Sequence, residues 1–152
     1  MEHDLSLNVR KAAEAHFISG LYCAESVVLA IANAWSIESE ILPKAATAFC
    51  SGMARTCGPC GALSGAVMAM GLLLGRNSPS ESVQPSYGPT QKLIRQFEQE
   101  FGARNCNDLL GCDLGTPEGQ AAFREHGLHE RCTRYTGKAA EIAARLIIEA
   151  GR

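Results

Sequence analysis

The sequence predicts an all-α fold, a single-domain helical bundle of about five to seven helices. Apolar residues recur at helical spacing along most of the chain. Long alternations of β-branched and polar residues are missing, as are Asn-Gly and Asp-Gly hairpin turns. The chain has 152 residues, 46% of them hydrophobic and 20% charged, which suits one core and one domain over residues 1–152.

The elements follow in order. Leu5 to Ile18 reads as a first helix stopped by Gly20. A second runs from Cys23 to Trp35, with Cys23, Val27, Ala30, Ile31 and Ala34 on its apolar face. A third is expected over Glu38 to Cys50, with Pro43 tolerable only in its first turn. The fourth opens at Pro59 and reaches Leu74. Gly61, Gly65 and Ala69 recur in it at four-residue spacing, and glycine inside a helix costs ~1 kcal/mol relative to alanine, so the pattern points to tight packing. Asn77 to Pro89 is rich in Ser, Pro and Gly and is expected to be a mobile connection. Thr90 to Phe101 forms a fifth helix, and Cys106 and Cys112 fall in the loop behind it. Thr116 and Pro117 mark an N-cap and first position of a short helix ending near His126. The last helix starts near His129, with Cys132, Tyr135, Ala139, Ile142, Ala143 and Leu146 facing inward.

Net charge is −2 and no basic block stands out, so nucleic acid and anionic membranes are not expected partners. The uncharged stretch from Thr56 to Gly75 is broken by Gly58, Pro59 and Gly61, and reads as a core helix rather than a membrane span. The N-terminus has no apolar h-region, and the expected location is the cytoplasm.

The seven cysteines are Cys23, Cys50, Cys57, Cys60, Cys106, Cys112 and Cys132. In a reducing compartment this usage favours metal binding or thiol chemistry over a disulfide framework, although cysteine is also a small buried hydrophobe. Cys57-Gly-Pro-Cys60 stands at an expected helix start, where the dipole favours thiolate. The same motif occurs in thioredoxins, but no βαβ pattern surrounds it here, and Thr56 replaces the usual tryptophan. Cys23, Cys60, Cys106 and Cys132 lie on separate segments, which a bundle can gather into one core site. Four thiolates suit zinc or an iron–sulfur cluster. His126 and His129 read as solvated surface residues.

Tyr22-Cys23-Ala-Glu-Ser, Cys60-Gly-Ala-Leu-Ser-Gly65, Asn105-Cys106-Asn-Asp-Leu-Leu-Gly and Arg131-Cys132 stand in the order of the C_GCAxxG_C_C redox-active family. The sequence resembles that family from about Leu21 to Ile148, and Cys-Gly-Ala-x-x-Gly is the specific part. The resemblance implies a helical redox or metal protein, with Cys23, Cys60, Cys106 and Cys132 as the family positions. Related domains occur in cytochromes that also carry an iron–sulfur centre. Cys50, Cys57 and Cys112 are additional, and Cys57 or Cys112 could stand in for a family cysteine.

The resulting expectation is a redox-active electron-transfer protein. Cys23, Cys60, Cys106 and Cys132 would bind an iron–sulfur cluster or another metal. The alternatives are a thiol–disulfide oxidoreductase using Cys57 and Cys60, and a structural or interaction module with zinc or no cofactor. A redox partner protein of unspecified identity is expected, and homodimerisation stays open.

Overall fold

The computed structural model describes residues 1–152. Its helices in chain order are α1 (Glu2–Ser19), α2 (Cys23–Ala34), α3 (Cys50–Arg55), α4 (Gly61–Leu74), α5 (Gln84–Phe101), α6 (Cys106–Leu110), α7 (Pro117–Glu125) and α8 (His129–Glu149). A 3-10 turn, Lys44–Phe49, precedes α3. No strand forms, only an isolated bridge between Pro59 and Asn105, as the all-α pattern predicts.

The apolar stripes meet around α8, which packs against α1, α2, α4 and α5. Tyr135, Ala139, Ile142, Ala143 and Leu146 are all buried along it, the face expected from periodicity. Val27, Val28 and Ile31 from α2, Ala66 and Met70 from α4, and Leu93 and Phe97 from α5 complete the centre. The small residues of α4 let α2 approach closely. A Cβ on Gly65 would stand 2.6 Å from the Ala24 carbonyl oxygen and 2.8 Å from its Cα. Arg10 ties α1 to α8 by donating to Glu141 at 2.8 Å. No helix is long and apolar enough to cross a membrane, and Ala62 to Leu74 lies in α4 as a core segment.

Three expectations need correction. The helix foreseen over Glu38 to Cys50 is absent: Pro43 would fall past its first turn and block the ladder, and the chain forms turns and the 3-10 segment behind Pro43 instead. The connection foreseen to Pro89 ends earlier, because α5 already begins at Gln84. Pro85 occupies the first turn, where no intrahelical donor is required, and the helix carries Pro89 inside it. Cys106 opens the short helix α6 rather than lying in a loop.

The segment after the 3-10 turn has the opposite hand. Ser51, Gly52, Met53 and Ala54 have φ of 57°, 66°, 51° and 56°, and Arg55 continues at 68°. Left-handed backbone costs an L-residue roughly 1–2 kcal/mol, so the neighbouring elements must hold this turn in place. The Gly52 carbonyl accepts from the Gly58 and Thr56 amides at 3.0 and 3.2 Å. A Cβ on Gly52 would collide with the Cys106 side chain, so this position is closed to any side chain by space as well as by handedness.

Candidate functional site: a cavity lined by four cysteines

Four chain segments meet at one end of the bundle. The Cys60 amide donates to the Arg104 carbonyl at 2.7 Å, and the Cys106 amide to the Gly58 carbonyl at 2.9 Å. This pairing sets Cys60 and Cys106 side by side. Tyr135 hydroxyl donates to the Leu109 carbonyl at 3.1 Å, fixing α8, and with it Cys132, against α6. Gly61 brings Cys23 in from α2, since any Cβ there would collide with the Cys23 sulfur.

The result is a cavity of about 250 Å³. Cys23, Cys60, Cys106 and Cys132 all line it, among Leu109, Leu110, Leu114, Phe17 and Phe123. Each of the four thiols stands at a helix start. Cys23 and Cys106 are the first residues of α2 and α6, Cys60 is the N-cap of α4, and Cys132 is in the first turn of α8. Helix N-termini carry partial positive charge and unsatisfied amide donors. Arg55, Arg124 and His129 add basic groups to the lining. The helix ends and arginines of this rim can counter negative charge that develops on the thiols.

Charge on these thiols is disfavoured. Burial pushes Cys60 and Cys132 up to about 12, with neighbouring cysteines adding to it. Burial likewise raises Cys106 to about 11. At Cys60 the Ala62 and Leu63 amides pull the other way and are outweighed. The expectation that a helix start activates this thiol therefore does not survive its burial. These thiols stay protonated in the native state at pH values where unfolded thiols, near 9.0, ionise. The native state then binds more protons, and stability falls as pH rises. Metal-free protein is expected to lose stability progressively from about pH 9 towards about pH 12. The slope is at most roughly 1.4 kcal/mol per pH unit per thiol. Urea unfolding across that range checks it, and Cys60→Ala should flatten the slope.

The remaining cysteines are placed differently. Cys57 and Cys60 share a motif but not an environment: Cys57 is half-buried against Asp113, whose proximity raises its thiol, while Cys60 turns into the cavity. The disulfide-exchange reading of the Cys57–Cys60 pair gains no support from this arrangement. Cys112 sits outside the cavity lining, half-buried near Arg131. Cys50 is buried, and its backbone lies beside the Cys23 sulfur. His126 is exposed, as expected of a surface residue. His129 is exposed as well, and it also stacks on Phe17 with ring centroids 4.6 Å apart and borders the cavity. Its signal in the sequence was the three-residue spacing to Cys132 on one helix.

The donors line a cavity rather than converge on a point, and no three Cys, His, Asp or Glu side chains are grouped to hold a single metal ion as they stand. Cys23, Cys60, Cys106 and Cys132, expected to gather into one core site, share this cavity. Four thiols around a space of this size fit a multi-atom group better than one ion.

An all-α bundle with a cysteine-lined cavity defines a thiol-rich helical protein. Residues 21–146 match the family described as "Putative redox-active protein (C_GCAxxG_C_C)", and the chain belongs to that family. No curated protein and no solved structure matches.

Proposed function

We propose that this protein is an electron-transfer component that holds an iron–sulfur cluster through Cys23, Cys60, Cys106 and Cys132. The observation behind this reading is that these four thiols, from four helix starts, line a single apolar cavity. Thiolates are the usual ligands of such clusters, which pass single electrons.

The chain's own residues supply the rest. The four thiols lose their protons as they become ligands, and a bound cation offsets the cost that burial imposes on their charge. The helix N-termini and the guanidinium groups of Arg55 and Arg124 counter the negative charge that thiolate ligands bring. Leu109, Leu110 and Phe123 limit water, and dryness with amide donors near sulfur sets the potential.

Protein purified without oxygen and reconstituted with ferrous iron and sulfide is expected to gain visible absorbance and matching iron and acid-labile sulfide. Zinc without sulfide would support the structural-module alternative. Protein that binds neither metal, with all thiols reduced, would overturn the proposal.

A further inference from the structure

Cys50 lies outside the family pattern, yet it meets one of the four pattern cysteines. The Cys23 sulfur lies beside the Cys50 backbone, the two meeting around Gly61. Both pack on Gly61, where a Cβ would collide with the Cys23 sulfur and stand 3.0 Å from the Cys50 Cα. The two thiols differ in access. Cys50 is 3% exposed, while Cys23 is half-buried and lines the cavity. Glu25 reaches the same spot: one carboxylate oxygen is 3.9 Å from the Cys50 sulfur, and the other accepts from Thr47 at 2.8 Å.

We propose that Cys23 and Cys50 form a reversible regulatory disulfide that withdraws Cys23 from the cavity. The oxidant class is a low-molecular-weight disulfide. Cys23, the accessible thiol, gives up its proton and attacks one sulfur of that molecule. A mixed disulfide forms on Cys23, and one small thiol leaves with a proton. Cys50 then attacks the Cys23 sulfur, passing its proton by way of Glu25 to the second leaving thiol. Two protein thiols are oxidised, and one small disulfide is reduced to two small thiols. A Cys23 bonded to Cys50 has no thiolate to offer the cavity. That last consequence rests on the cluster reading, whereas the disulfide itself does not.

The test treats reduced, metal-free wild-type protein with oxidised glutathione, quenches with acid, alkylates and maps disulfides by mass spectrometry. The expected first product is a Cys23–Cys50 cross-link that dithiothreitol reverses. Cys50→Ala, checked for helicity by circular dichroism, is expected to stop at one glutathione adduct on Cys23. A first cross-link elsewhere, such as Cys57–Cys60, or a persistent Cys23 adduct in wild type, would overturn the pairing. Oxidised wild type is then offered ferrous iron and sulfide before and after reduction. Iron binding at least about tenfold lower before reduction supports the switch. Equal binding overturns the switch, whereas no binding even after reduction overturns the cluster reading and leaves the mapped disulfide standing.

Discussion

Gly65→Val is expected to destabilise the protein by about 3 kcal/mol or more, a large share of the roughly 5–15 kcal/mol typical of a domain. A side chain at this position meets the Ala24 backbone at 2.6 and 2.8 Å, and backbone inside a helix cannot swing aside as a flexible side chain can. Relief would require α2 and α4 to separate. That would open the contacts of Val27, Val28 and Met70, all of which are fully buried. Gly71→Ala in the same helix is the contrasting substitution, because nothing lies within 4 Å of its Cβ position. It should stabilise by about 0.5–1 kcal/mol. Urea unfolding of both variants measures the difference. A Gly65→Val midpoint equal to wild type would mean the two helices do not approach this closely.

The second large effect concerns iron retention after anaerobic reconstitution. Serine at Cys60, Cys106, Cys132 or Cys23 is expected to lower it at least about tenfold, since losing a direct ligand exceeds the usual cost of losing a supporting contact. Cys57→Ser and Cys112→Ser should stay within about twofold, because neither thiol lines the cavity. Circular dichroism of the metal-free variants separates lost ligation from lost fold. Equal losses across all six substitutions would mean that cysteine content, not this cavity, governs binding.

The long helices were legible because their burial is periodic: the stripe from Tyr135 to Leu146 on α8 is the stripe that is buried. Thr116 was also readable, and its hydroxyl accepts from the Gly119 amide at 2.9 Å. The failures occur where local preference yields to tertiary packing. Pro43 excluded a helix but could not say which turns replace it. Pro85 and Pro89 looked like loop signals, yet Pro85 lies in the first turn, where no donor is required, and the helix carries Pro89 inside it. The four pattern cysteines could be named from their order, but not their meeting place. That depends on the pairing of Gly58 to Cys60 with Arg104 to Cys106, a contact between distant segments. Cys50 gave no signal at all, because its neighbour Cys23 lies twenty-seven positions away in sequence.

The left-handed turn from Ser51 to Arg55 makes one wall of the cavity dependent on everything else. Such a conformation is against the grain of its own residues, Gly52 excepted, so the turn has no stability to lend. It is a borrower of order from α4 and α6. Were the Gly58–Cys106 pairing to loosen, these residues would relax toward the right-handed basin. Ser51 and Arg55, both on the cavity lining, would then swing to new directions together. The wall therefore keeps its conformation only through its contacts with the assembled bundle. Amide hydrogen exchange should register this segment as opening well before the helices that frame it.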